Sequence, residues 1–538
     1  MPARVQRTEI TELVIIGGGA EMINEKQEGT FVFSPTLLKR RLRTDIMELV
    51  SVGNAARGVA AITIHSDAGR LRTLARTAGV CWSVLFVIIG LRYELQMYAD
   101  GSIFAYAVAV QDAWAFHWHN IIGRLFVYVF SYVPAEIYIE LTRDASGAVV
   151  IHGFLFFVAP LLALIATWAA DKSKGRIIFG GACLSTACLS PLVFGFPTET
   201  WMAHSLFWPT LAVCHYTRPG LGGVTLMFVM MLALVFTHEG ALLFALAILA
   251  TLLLRDARDA AFSRAAGAFL LISSIWVMAR VAFPPDDYIA DTLRTAALHV
   301  FDPSILGSGL ILLLLGALAG YGIAFFGLRR LAPQSAHMHA AWIVAVMLAV
   351  YWLWFDHALH AENRYYLRTV LLIVTPLLGI VAAVRALDAE GRLSLPFLSR
   401  SVAASTSDVM RRMAVGAILL VMLVHAVETT KFVAAWTNYH AAVRALATGT
   451  TSDPTLGDLR FVSSQRISPD LNRLAWSSTT HFLSVLVAPG FAPTRLVVDP
   501  YENYFWLSCE TATANREAER VVPTNSRELV RVHACMHR

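Results

Sequence analysis

Between residues 74 and 428 the chain is a succession of apolar stretches, 14 to 24 residues long, separated by short polar loops. Stretches of this length narrow the fold sharply. Hydrocarbon offers no hydrogen-bond partner to an exposed backbone, so a chain that crosses a bilayer does so as helices of about 20 residues or as a closed barrel. The eleven stretches cover 74–95, 149–170, 177–196, 201–214, 221–236, 240–254, 265–283, 305–328, 340–354, 369–384 and 413–427. With 57% hydrophobic and 15% charged residues and a mean hydropathy of +0.58, a soluble enzyme is excluded. The expectation is an all-α polytopic membrane protein with about 11 transmembrane helices.

The loops alternate in chemistry. One set holds Lys172, Lys174, Arg176, Arg218, Arg255, Arg258, Arg264, Arg329, Arg330, Arg385, Arg392, Arg400, Arg411 and Arg412, fourteen in all, whereas the opposite set holds five, Arg124, Arg143, Arg294, Arg364 and Arg368. Lys/Arg excess marks the cytoplasmic side. The N-terminus is therefore expected inside and the C-terminus, after an odd number of spans, outside, as in a bacterial inner membrane protein. The segment 120–141 is apolar but carries Arg124, Pro134, Glu136 and Glu140; counting it as a span would move Lys172, Lys174 and Arg176 outward. It is read instead as amphipathic helix on the outer leaflet.

This gives a cytoplasmic N-terminal segment over 1–73, partly disordered; a transmembrane domain over 74–430, with a first periplasmic loop over 96–148 and a second over 284–303; and a small periplasmic C-terminal region over 431–538. Gly17, Gly18 and Gly19 lack the spacing of a dinucleotide fingerprint and read as a turn. The net charge of +5 is explained by juxtamembrane Arg and Lys, so the partners expected are membrane lipids and no nucleic acid. Cys81, Cys183, Cys188 and Cys214 behave as small apolar residues, and Cys509 and Cys535, in the outer tail, pair as a disulfide.

Three outer clusters carry candidate chemistry. Asp112, followed by Trp114, His117, Trp118 and Arg124, is a carboxylate among aromatics at an interface, a setting that disfavours its charged form and suits a general base; Asp100 and Glu94 are weaker alternatives. His238 and Glu239 interrupt an apolar run, where unpaired charge is costly, and offer an acid/base pair or ligands for a divalent cation, the one cofactor considered. Glu362, Arg364, Tyr365, Tyr366 and Arg368 lie at the outer end of a span, with the two arginines spaced i, i+4 so that they share a face and hold a phosphate. Glu199 and His204 occupy a further outer turn. Trp201 and Trp208 read as interfacial anchors.

A long first outer loop with an acidic residue, a second outer loop after the seventh span and an outer tail together resemble the GT-C superfamily of polyprenyl-phosphate-sugar glycosyltransferases, over about residues 74 to 430. The chain also resembles membrane proteins of Gram-negative bacteria. The GT-C resemblance implies transfer of a sugar from a lipid-linked donor to a lipid or glycan acceptor, with the base at Asp112 or, alternatively, Asp100. It also implies a role for Arg364, in the segment from Glu362 to Tyr366, in holding the lipid phosphate. A polysaccharide ligase or polymerase, and a lipid or solute transporter, are the competing readings.

Overall fold

The computed structural model describes residues 67–498, apart from 110–120, 197, 257, 284–293, 295–297, 299–308, 333–334, 355–358, 394–407, 450–454, 457–458 and 477–478. Almost all of it is helix. In chain order the helices are α1 (Asp67–Arg92), α2 (Asp100–Ala109), α3 (Leu125–Thr142, with a π turn at Tyr128–Tyr132), α4 (Ala145–Ala170), α5 (Ile177–Val193), α6 (Glu199–Tyr216), α7 (Leu221–Val235), α8 (Ala241–Arg255), α9 (Ala260–Ala282), α10 (Gly309–Arg329), α11 (Ala336–Trp354), α12 (Ala361–Ala389) and α13 (Asp408–Thr448). Prolines lie inside α4, α5, α6 and α12, at Pro160, Pro191, Pro209 and Pro376. Membrane helices tolerate this because neighbouring helices re-satisfy the freed backbone groups.

Seven described helices are long and apolar enough to cross a membrane, and four shorter ones are apolar. Their outer faces are correspondingly greasy. Ile88, Ile165, Leu270, Val281, Leu318, Ile323 and Val350 are all exposed, a surface that water would not tolerate at this extent and that lipid solvates. The chain is a helical membrane protein.

Contacts between helix ends fix how the bundle is strung. Arg76 on α1 donates to Gly175 O (2.6 Å), which sets the start of α1 beside the loop carrying Lys172, Lys174 and Arg176. Tyr216 at the end of α6 donates to Glu390 beyond α12 (2.7 Å), and Arg255 at the end of α8 donates to His215 O (2.9 Å). The opposite end gathers the start of α6, the α7–α8 turn and the end of α9 through Glu199, Glu239 and Arg280. Basic loops separated in sequence thus meet in space at what we term the Arg76 end. Glu199 and Glu239 meet Arg124 and Arg280 at what we term the Glu199 end.

Segment α3 is apolar enough, by length and composition, to span. Contacts anchor both of its ends. At its start Arg124 pairs with Glu199, and Phe126 N donates to Phe236 O (3.1 Å). At its finish Tyr138 donates to Asp144 Oδ2 (3.1 Å), the residue that caps α4 through Gly147 N, and α4 packs its Gly153 against Gln96, just past α1. Both termini of α3 therefore belong to the Glu199 end.

Two hydrophobic clusters fill the bundle, one built on α1, α2, α4 and α13, the other on α5 to α9 with α12. Trp201 and Trp208 belong to them, 3% and 1% exposed, and Trp201 donates to Phe156 O (3.1 Å). The expected interfacial role for these two is therefore corrected: α6 is surrounded by other helices, so its indoles face protein. Cys183 and Cys214 are buried free thiols, Cys188 is half-buried and Cys81 is exposed on α1.

At 41 residues and 1.5 Å per residue, α13 is roughly 60 Å long, about twice the hydrocarbon thickness. Its second half projects beyond the Glu199 end. There it supports a small sheet, the one departure from helix among the described residues, in which β2 (Leu459–Ser463) pairs antiparallel with β1 (Thr455–Leu456) and parallel with β3 (Arg495–Val498). Helix α14 (Thr480–Leu486) connects the parallel pair and packs on α2. Ala361 N donates to Arg473 O (3.0 Å), tying this unit to the start of α12.

Candidate functional site

Asp100 opens α2 immediately after a turn forced by two left-handed residues, Glu94 (φ 55°) and Ala99 (φ 52°). Non-glycine residues pay for that conformation, and it persists where surroundings over-determine it. Here Ser102 ties the turn down, donating to Ala99 O (2.7 Å) and to Thr479 O (3.2 Å) of the C-terminal unit. Asp100 itself forms no salt bridge among the described residues. Burial pushes its carboxyl up from the usual Asp range to about 6; Arg368 and Arg124 oppose the rise and Glu199 adds to it.

The charges around it are organised as a chain. Arg124 donates from Nη1 to Glu199 Oε1 (2.6 Å) and from Nη2 to Glu239 Oε2 (3.5 Å), and the other Glu239 oxygen is taken by Arg280 Nη2. All four side chains are largely buried, between 6% and 18% exposed. Burial opposes ionisation of Glu239, yet Arg124, His238 and Arg280 outweigh it and hold the carboxyl down at about 2. The same carboxylates raise the Arg124 guanidinium above its ordinary value against the pull of burial.

His238 accepts from Gly240 N at Nδ1 (2.9 Å) and turns Nε2 toward Glu239 Oε2 (3.8 Å). Burial lowers it to about 4, so the imidazole is neutral near pH 7. A Cβ at Gly123 would meet the Arg280 guanidinium, which would have to shift to admit it. Glu239, expected as a metal ligand, has both oxygens committed to guanidiniums. A divalent cation would compete with two positive charges, and among the described residues no three His, Cys, Asp or Glu converge.

Arg364 and Arg368, both on α12, differ in their surroundings. Arg364 is 3% exposed; its Nη1 donates to Phe194 O (2.6 Å) and its guanidinium lies 3.6 Å from the Phe432 ring centroid. Arg368 lies over Tyr365 at 3.3 Å, and Tyr365 stacks on Trp476 at 4.7 Å. Arg364 is thus a buried brace, and Arg368, one turn on, is the cation whose field reaches Asp100 and His238. Glu362 lies in the first turn of α12.

Of the sequence candidates, the fold gathers Asp100, Arg124, His238, Glu239 and Arg368, joined by Glu199. Asp112, His117, Trp118, Cys509 and Cys535 lie outside the described residues. Arg280 escaped sequence reading, though a guanidinium inside the apolar stretch 265–283 is itself a signal, since such a charge is costly without a partner. Trp476 escaped as well, because nothing in the tail points to Tyr365. No protein-family model matches the chain, and no curated protein matches it.

Proposed function

We propose that this protein is an integral membrane glycosyltransferase that moves a sugar from a polyprenyl-phosphate-linked donor to a lipid or glycan acceptor on the periplasmic face of a bacterial inner membrane. In this reading the Glu199 end faces the periplasm, eleven helices span, α3 lies along the outer leaflet, the N-terminus is cytoplasmic and the C-terminal unit is periplasmic. The spatial segregation of basic loops at the Arg76 end supports that orientation.

The observation that carries the reading is Asp100: a carboxyl at the start of α2, without a salt bridge among the described residues, within the field of Arg368 and Arg124, and raised by burial to about 6. A carboxylate with that affinity for a proton takes one from an acceptor hydroxyl more readily than an ordinary Asp does. The freed oxygen attacks the anomeric carbon while the bond from that carbon to the donor phosphate breaks, and Arg368 stabilises the departing phosphate. Arg124 is occupied by Glu199 and Glu239, and with Arg280 it forms the rigid floor of the site. The stack of Arg368, Tyr365 and Trp476 supplies an aromatic wall beside it. Charge gathered at the helix ends, not at the midplane, argues against a transporter.

The test is transfer of radiolabelled sugar from cell-derived polyprenyl-linked donors in membranes holding equal amounts of wild type, Asp100→Asn, Asp112→Asn or Arg368→Met, each with and without a chelator. Asp100→Asn is expected to reduce transfer at least 100-fold and Arg368→Met to reduce it at saturating acceptor. Loss with Asp112→Asn and retention with Asp100→Asn moves the base to Asp112; absence of wild-type transfer from every donor overturns the function.

A further inference from the structure

The Arg76 end carries positive charge that the described fold does not neutralise. Where the start of α1, the end of α4 and the start of α5 meet, three arginines gather near Gly175. Arg76 Nη2 donates to Gly175 O (2.6 Å) and reaches Arg176 O (3.5 Å), and Arg72 Nη1 lies 3.0 Å from where a Cβ on Gly175 would stand. Arg72 and Arg176 are close enough for their charges to act on Arg76. Lys172 and Lys174, both exposed, extend the patch. Among the described residues none of these five cations forms a salt bridge. The carboxylate in the same loop, Asp171, is 1% exposed and has both oxygens taken by backbone donors, Ser173 N and Phe179 N (2.8 Å each). Arg124 and Arg280, at the opposite end, are each matched by a carboxylate.

The surroundings indicate what supplies the missing negative charge. The Arg176 guanidinium lies 4.2 Å from the Trp168 ring centroid and donates to the Trp168 carbonyl. That indole is 51% exposed near the end of α4, the place of an interfacial aromatic anchor. Trp168, Ile165 and Leu162 follow one another at three-residue spacing on α4, and Arg76, Val80 and Val84 at four-residue spacing on α1, so each set shares a face. The four aliphatic residues among them are exposed, so the basic patch sits at the edge of a surface that lipid covers. A phospholipid places its phosphate at that depth and lays its acyl chains along those helices. Guanidiniums grip phosphate oxygens in pairs, whereas a zwitterionic headgroup brings a second cation into the same field. We propose that Arg72, Arg76 and Arg176 form a binding site for the headgroup phosphate of an anionic phospholipid. The inference concerns the Arg76 end alone and stands apart from the transfer reaction.

Native mass spectrometry tests it on the full chain, delipidated in a neutral detergent and titrated with phosphatidylglycerol, phosphatidylcholine or inorganic phosphate. Wild type is expected to bind phosphatidylglycerol about tenfold more tightly than phosphatidylcholine, the equivalent of one charge-assisted hydrogen bond. Excess inorganic phosphate should not displace the lipid. Arg72→Glu sets a carboxylate beside Arg76 and Arg176 from an exposed position, and should bring phosphatidylglycerol down to the affinity of phosphatidylcholine. Arg72→Gln, which removes one charge and adds none, should weaken it in the same direction by less. Arg330→Glu reverses an exposed arginine just past α10 and should leave the affinity unchanged, which separates a built site from general basic charge. Equal affinity of wild type for the two lipids, equal losses in Arg72→Glu and Arg330→Glu, or displacement by inorganic phosphate overturns the proposal. So does affinity kept in both Arg72 variants when they unfold at the wild-type temperature.

Discussion

Replacing Glu239 by glutamine tests whether the charges at the Glu199 end form a network or a set of incidental surface pairs. Burial works against this carboxylate, and Arg124 and Arg280, joined by His238 only where that imidazole is protonated, hold it ionised, at about 2 against an ordinary 4.5. At roughly 1.4 kcal/mol per pH unit, that difference corresponds to about 3 kcal/mol. The Glu239 side chain is only 12% exposed, so solvent screening removes little of it. Because the folded carboxyl titrates below the unfolded one, this stabilisation is fully present above pH 4.5 and is lost as pH falls toward 2. Unfolding free energy at pH 7, measured in mixed micelles titrated with a denaturing detergent, should therefore drop by about 3 kcal/mol in Glu239→Gln. Adding Arg280→Met should recover part of the loss, since the uncompensated guanidinium is then gone. Glu140→Gln is the control. It breaks the exposed pair with Arg143, 75% and 55% exposed at 3.6 Å, and should cost less than about 0.5 kcal/mol. A loss below about 1 kcal/mol for Glu239→Gln, the range of a surface pair, would refute the reasoning.

Three further outcomes follow from particular residues. If Asp100 is the base, transfer rises with pH through about 6, so activity at pH 5 is roughly a tenth of its plateau; a flat profile between pH 5 and 7 would exclude it. Gly79 on α1 meets α5 so closely that a Cβ would sit 2.5 Å from Cys183 Cα and O. As backbone cannot swing aside, Gly79→Ala should cost about 1 to 3 kcal/mol in the same unfolding measurement. His481 in α14 is 2% exposed and burial lowers it to about 3. Its contribution is present above about pH 6.5 and is lost as pH falls toward 3, about 2 kcal/mol by pH 5. Protease cleavage of the C-terminal unit should rise from pH 7 to pH 5 in wild type, and much less in His481→Phe.

Local chemistry made the helices legible. Apolar stretches of span length can form nothing else in lipid, so α4, α9 and α12 lie where sequence expected them, and the segregated arginines announced which loops share an end. Segment α3 is ambiguous in sequence: it is long and apolar enough to span, yet it carries Pro134, Glu136 and Glu140. The site was legible only in pieces. Asp100, Arg124, Glu199, Glu239 and Arg280 come from five segments, and no spacing relates them. Trp201 and Trp208 show why: in a membrane helix the faces toward lipid and toward protein are equally apolar, so periodicity does not say which side packs or against what. Sequence determined that this is a helical membrane protein whose loops differ in Lys and Arg content. Tertiary structure alone decided which helices are neighbours, because that choice rests on close packing such as Gly79 on Cys183 and on the pairing of buried charges, both set by residues far apart in the chain.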